Sequence, residues 1–245
     1  MLIGAVLWQS NDAMSDVMKS ADEAVLLAVK ERKHYHLYEP SGRMKKMSNM
    51  LATREGGLLA INDSALQLSQ HGVMMSDQVN LMFSEVLSKI QYKDEVIPTL
   101  LLQSKAEPFS ASERLDGRIF EQIRTMYIKG ALDLPISINA SVHSILDDEF
   151  YAWLMEQSNQ FADLFSSIIW EFDEMTLSQS QSAPEVITKL HKLGSKVAVD
   201  HFGTGDNTLL ALRKWPIDIV KLDGSSMHEF EGKQDAWYFL ENISS

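Results

Sequence analysis

Four short apolar runs in this chain end on side chains that can do chemistry. Ile136-Ser137-Ile138 leads to Asn139, Ile168-Ile169-Trp170 to Glu171 with Glu174 behind it, Val197-Ala198-Val199 to Asp200, and Ile219-Val220 to Lys221 with Asp223 nearby. Hard oxygen donors gathered from separate strands are what Mg²⁺ or Mn²⁺ requires. A lysine beside them can orient an attacking water or meet a phosphate. Each acid also has a plainer use, because carboxylates just after a strand often cap the next helix or sit in a solvated loop. The chemistry depends on whether the surrounding elements bring these residues together.

From residue 76 onward the pattern predicts strands alternating with helices. The strands are Val79 to Ile90, Glu95 to Gln103, Pro135 to Ser141, Ser167 to Asp173, Lys196 to Phe202 and Ile217 to Asp223. The helices are Arg114 to Lys129, Asp148 to Phe161, Ala183 to Leu193, Asn207 to Trp215 and Asp235 to Ile243. Short, β-branched apolar runs such as Val197 to Val199 suit strands buried on both faces, so a parallel α/β sheet with helical crossovers is expected, as a barrel or doubly wound. In either, working residues lie at the C-terminal ends of strands. A helix is expected around Leu58 to Leu68, and residues 40–57, with Pro40, Gly42, Arg43, Lys45 and Lys46, read as a linker. Residues 1–39 read as strand, helix and strand, too little to bury a core independently.

Composition narrows the field. The 245 residues carry 34 Asp plus Glu against 22 Lys plus Arg, a net charge of −12, which opposes broad binding to nucleic acid or an anionic membrane surface. A hydrophobic fraction of 45% with 23% charged residues is that of an ordinary globular protein. Cysteine is absent, which excludes disulfides and thiolate chemistry and is compatible with a cytoplasmic setting. No apolar run approaches the ~18–20 residues that span a bilayer, although a longer parent protein could be membrane-anchored.

The strand ends are joined by one extended motif. Residues 196–224, with Asp200-His201-Phe202-Gly203-Thr204-Gly205, a Leu-rich helix, Pro216 and Lys221-Leu222-Asp223, resemble the signature of the EAL family of cyclic-di-GMP phosphodiesterases. That family's pattern is Asp-Asp-Phe-Gly-Thr-Gly, then Pro, then Lys-Ile-Asp. Ile136 to Ser141 resembles its Ser-Val-Asn-Leu-Ser strand, and Ile169 to Glu174 its Leu-Glu-Ile-Thr-Glu strand. The resemblance implies a TIM-barrel-like EAL domain over residues 58–245, with six of the eight strands present. Met18 to Val25, with Lys30 and the strand to Tyr38, resembles the closing helix and strand of a GGDEF (diguanylate cyclase) domain, which implies a GGDEF fragment over 1–39.

The family hydrolyses one phosphodiester of cyclic-di-GMP with two divalent cations. Carried over by position, Asn139, Glu171 and Asp200 take first-metal places, Lys221 the water- or phosphate-contacting place, and Glu174 a further acidic place. His201 stands where the family has the second Asp of its pair, a degenerate second-metal position. The family's Glu-Ala-Leu-Leu-Arg run is matched to Thr99-Leu100-Leu101-Leu102-Gln103, so its metal-binding Glu is expected to be lost as Thr99 and its phosphate-contacting Arg as Gln103. Thr99, Gln103 and Asp223 are carried as ligand-contacting positions. Two carboxylates fewer would leave a pair of cations poorly held. The expectation is a catalytically silent EAL protein acting through nucleotide or protein binding, as a receptor or an adaptor in regulatory-RNA decay, with a protein partner and a homodimer among its assemblies. A weak Mg²⁺- or Mn²⁺-dependent phosphodiesterase and a non-functional remnant are the alternatives. The Phe-x-x-Trp-Leu helix and Ile-Ile-Trp-Glu strand within 150–174 lean toward the adaptor type. Plainer roles stand beside these: His201 as a loop hydrogen-bond partner, Met74, Met75, Met82 and Met126 as core filler, and Phe202 to Gly205 as a tight turn.

Overall fold

In the computed structural model, the described residues are 3–6, 35–38, 61–62, 65–75, 79–92, 95–99, 112–202 and 215–222, with backbone alone at 3–6, 35–38, 92 and 95–98. The chain divides into two units, Met1–Thr53 and Arg54–Ser245. In the first, β1 (Ile3–Val6) pairs in parallel with β2 (Tyr35–Tyr38), Ile3 opposite Tyr35. Parallel neighbours need a crossover between them. The helix expected there lies outside the described residues.

The second unit is built on β3 (Ala65–Met74), β4 (Leu81–Tyr92), β5 (Glu95–Pro98), β6 (Ile136–Asn139), β7 (Ile168–Asp173), β8 (Lys196–Phe202) and β9 (Ile219–Leu222). They form one sheet in the order β3-β4-β6-β7-β8-β9, with β5 also paired to β4. From β4 through β9 the path is parallel, while β3 and β5 run antiparallel to β4. The expected parallel sheet is therefore present from β4 through β9, and β3 and β5 add antiparallel partners to β4 that the sequence pattern does not announce. Parallel neighbours need a crossover of a dozen or more residues, whereas β4 begins seven positions after the end of β3 and β5 follows β4 after two residues.

The expected helix at 58–68 is corrected. Ile61 and Asn62 are helical, but Ala65 to Met74 is a strand registered along β4 from Ala65–Gln91 to Met74–Leu81. Ladder bonds over ten residues outweigh the weak helical preference of Ala65-Leu66-Gln67-Leu68. The hairpin end also exposes Met74, Met75 and Met82, which were expected in the core. Of the strand expected at Glu95 to Gln103, Glu95–Pro98 is present. The helices expected at Asn207 to Trp215 and Asp235 to Ile243 fall on residues outside those described, Trp215 excepted.

Helices α1 (Ser112–Ile128), α2 (Val142–Leu146), α3 (Asp148–Gln160), α4 (Ala162–Ser166), α5 (Glu174–Gln179) and α6 (Ala183–Lys192) connect the strands. Their starts are written in the sequence. Ser141 Oγ accepts the His143 N–H, Asp147 Oδ1 accepts the Phe150 N–H at 2.8 Å, and Asp173 Oδ1 accepts the Thr176 N–H at 3.0 Å. After α6, Gly194 takes φ +87°, the left-handed conformation that ends a helix. The core between helices and sheet is aromatic: Phe120 of α1 stacks on Trp170 of β7 and meets Trp153 of α3 edge-on, and Trp153 in turn touches Phe150. The Phe-x-x-Trp-Leu helix and Trp170 thus serve packing, with Phe150, Leu154 and Trp170 all buried.

Candidate functional site

Side chains two apart on a strand share a face, so the sheet can be read in layers. On one face, Phe83 of β4, Ile169 of β7 and Ala198 of β8 form a buried cluster, with Val73 of β3 and Ile219 of β9 against it. Two residues further along the parallel strands stand Glu85, Glu171, Asp200 and Lys221. Strand direction therefore places an ionic layer above an apolar one, at the C-terminal ends of the strands.

Lys221 Nζ lies 2.9 Å from Glu171 Oε2, 3.3 Å from Asp200 Oδ2 and 3.3 Å from Glu85 Oε1. Carboxylate oxygens of Glu85, Glu171 and Asp200 lie within 4.8 Å of one another. Glu171 is fully buried, and among the described residues its Oε1 makes no hydrogen bond of good geometry, although the Ser137 hydroxyl of β6 favours its charged form. Burial pushes the Glu171 carboxyl up against the opposing pull of Lys221. Burial also draws the Lys221 ammonium down, but Glu171, Asp200 and Glu85 together outweigh it and hold its pKa above the usual lysine range.

Around this centre the other expected residues divide. Asn139 ends β6 in register with Glu171, and the Ala140 N–H donates to the Glu171 carbonyl at 3.1 Å. Glu174 is buried in the first turn of α5. His201 Nδ1 sits 3.6 Å from Asp173 Oδ2 and 3.7 Å from Asp200 Oδ2. Gln103 and Asp223 lie outside the described residues. Thr99 stands apart from the acids: it is buried, with its hydroxyl bonded to the Ser88 hydroxyl and donating to the Ser88 carbonyl at 3.1 Å.

The sequence reading missed Glu85, which takes the place in the cluster that Thr99 was expected to have lost. The signal was present in Glu85-Val86-Leu87-Ser88-Lys89, which keeps the Glu and first Leu of Glu-Ala-Leu-Leu-Arg and puts Lys for Arg. The leucines of 100–102 drew the motif away from it. The registers of β4 with β6 and β6 with β7 restore it, since Glu85 pairs with Ser137, Ser137 with Ile169, and Asn139 with Glu171.

A hard divalent cation suits this donor set. Three carboxylates converge, one has a buried oxygen that makes no well-formed hydrogen bond among the described residues, and the amide-bearing Asn139 ends the neighbouring strand.

The profile of the EAL domain family matches residues 55–244. The chain belongs to the EAL domain family. Among curated proteins, the probable cyclic di-GMP phosphodiesterase PdeA of Escherichia coli K12 is 23% identical over 208 residues, 81% of this chain and 28% of that protein. Cyclic di-GMP phosphodiesterase PdeB of Shewanella oneidensis is 26% identical over 222 residues, 85% of this chain and 25% of its own length. The chain thus spans about a quarter of each. Among solved structures, the S helix-GGDEF-EAL segment of Vibrio cholerae LapD bound to c-di-GMP aligns with TM-score 0.69 at 18% identity, covering 98% of this chain and 59% of that one. The EAL domain of FimX from Pseudomonas aeruginosa, bound to c-di-GMP, gives 0.62 at 16% identity and covers 78% of each chain. The EAL fold is accordingly the TIM-barrel-like α/β arrangement anticipated from the motifs.

Proposed function

We propose that this EAL domain works in cyclic-di-GMP signalling as a cation-dependent receptor that binds the dinucleotide and turns it over slowly at best, its output passing to a protein partner. The observation that carries the reading is the convergence of Glu85, Glu171 and Asp200 around Lys221. In the family these positions serve a metal site, and here all three carboxylates remain. Together with Asn139 they would hold Mg²⁺ or Mn²⁺, and the bound cation would neutralise charge on a phosphodiester.

Slow turnover is argued from His201. Two-metal hydrolysis needs both cations held together against their mutual repulsion, and the family's second Asp is replaced by His201, whose imidazole brings no negative charge in either protonation state. Weak phosphodiesterase activity stands as the second reading because Glu85 is present, which leaves the site better equipped than its loss would have done. Calorimetric titration of cyclic-di-GMP with and without Mg²⁺ or Mn²⁺, joined to chromatography of the nucleotide afterwards, separates the two. Cation-dependent binding with the dinucleotide intact supports the receptor. Turnover that vanishes in Glu171→Ala supports the enzyme.

A further inference from the structure

Resting on the reading that the acidic layer takes a cation, we propose that Ser137 of β6 is a positioning residue for it, whose hydroxyl closes a hydrogen bond to Glu171 Oε1 when the cation binds. Strand β6 reads Ile136-Ser137-Ile138-Asn139, and alternation turns Ile136 and Ile138 to one face and Ser137 and Asn139 to the other. In the parallel ladders Ser137 is registered with Glu85 on β4 and with Ile169 on β7, two residues before Glu171. It therefore shares the face of the acids, on the strand that runs between Glu85 and Glu171.

Two polar atoms are left over at this point. Ser137 is completely buried, and its Oγ makes no well-formed hydrogen bond among the described residues. Glu171 Oε1 is in the same condition, while Oε2 is held by Lys221 Nζ at 2.9 Å. The two residues are neighbours, since the Ser137 hydroxyl stands near enough to Glu171 to favour its charged form. A buried hydroxyl that has lost water without gaining a good acceptor is a net cost to the fold. Packing between Ile136 and Ile138 would be served as well by alanine, so the hydroxyl calls for another use.

The three acids differ in what can orient them. The side chains of Glu85 and Asp200 are 23% and 19% exposed, so water reaches them, whereas that of Glu171 is at 0%. Glu171 therefore depends on protein groups for its direction. Lys221 anchors one of its oxygens, and the hydroxyl on β6 is placed to anchor the other. A carboxylate oxygen carries two lone pairs, so Oε1 can accept the Ser137 O–H and face a cation at the same time. Donors that steady a metal-binding carboxylate in this way are typically worth about 10–100-fold in metal affinity.

The test is a Mn²⁺ titration of the intact chain without nucleotide, with free Mn²⁺ counted by electron paramagnetic resonance, alongside thermal melts without metal. Ser137→Ala should weaken Mn²⁺ at least about tenfold while melting at or above the wild-type temperature, since it removes a buried hydroxyl that lacks a good acceptor. Ser137→Thr keeps the hydroxyl and should bind Mn²⁺ within about threefold of the wild type, whereas Ser137→Val, of the same shape without it, should bind as weakly as Ser137→Ala. The Thr and Val substitutions share any disturbance of packing, so a difference between them reports the hydroxyl. Equal Mn²⁺ affinity in the wild type and Ser137→Ala, or in Ser137→Thr and Ser137→Val, overturns this inference and leaves the cation reading intact. Absence of Mn²⁺ binding from the wild type overturns both.

Discussion

Glu171 sets the energetics of the site at the scale of single residues. A carboxyl whose folded pKa is raised binds more protons when folded than when unfolded, so its contribution to stability falls as pH rises from its ordinary value of 4.5 through the folded value. Replacing it by glutamine removes that slope. Thermal melts across pH should show the wild type losing stability relative to Glu171→Gln as pH rises above 4.5, with the gap reduced by Mg²⁺ or Mn²⁺. Parallel curves would contradict this. Lys221 behaves oppositely in origin: its raised pKa contributes stability that is fully present below 10.5 and lost above the folded value. Lys221→Met leaves three carboxylates facing one another and should cost about 2–3 kcal/mol in urea unfolding without metal, most of it recovered on adding the cation. Asn139, Glu171, Asp200 and Lys221 were legible in the sequence because each ends an apolar run inside a recognisable motif. Glu85 was not, because Glu-Val-Leu-Ser-Lys shares two of five residues with the family's run, and only strand register shows which glutamate faces the others.

At the scale of elements, the position of Lys221 depends on how β9 is registered against β8. A slip of one residue would turn Lys221 to the opposite face. Asp218, just before β9, fixes that register. Its N–H donates to the Val197 carbonyl at 3.0 Å, its Oδ2 accepts the Val197 N–H at 2.8 Å, and the same oxygen meets His191 Nε2 of α6 at 2.8 Å. Further along, the ladder shifts between Val199 and Phe202, so the anchor lies at the start of the strand. Asp218→Ala should cost about 1–3 kcal/mol in urea unfolding and weaken cation binding, while Asp148→Ala, at a fully exposed carboxylate, leaves both unchanged. Loss of stability with cation affinity intact would show that the anchor does not position Lys221. The parallel strands β6 to β9 were readable because residues such as Ile168-Ile169-Trp170 are apolar without interruption. The strand β3 was not, since Ala65 to Leu68 alternates too briefly to separate a strand from a helix, and long-range pairing with β4 decided it.

For the whole molecule, packing and charge act separately. The aromatic seam joining α1 and α3 to β7 holds the sheet's other face, and Phe120→Ala should cost about 3–5 kcal/mol, measured by denaturant unfolding, through a cavity against Trp170 and Phe165. A loss below about 1 kcal/mol would mean that the seam repacks. The net charge of −12 sets a further condition, because a dianionic dinucleotide approaches an acidic protein and an acidic site. A divalent cation in the layer of Glu85, Glu171 and Asp200 would cancel that local field, because three carboxylates beside the Lys221 ammonium leave two negative charges. The most direct measurement is therefore calorimetric titration of the intact chain with cyclic-di-GMP, with Mg²⁺ present and with Mg²⁺ chelated, and with the nucleotide recovered for chromatography. The expected result is binding only when the cation is present, abolished in Glu171→Gln, with the cyclic dinucleotide recovered intact. Rapid conversion to the linear dinucleotide, or equal affinity with and without the cation, would contradict the cation-dependent receptor.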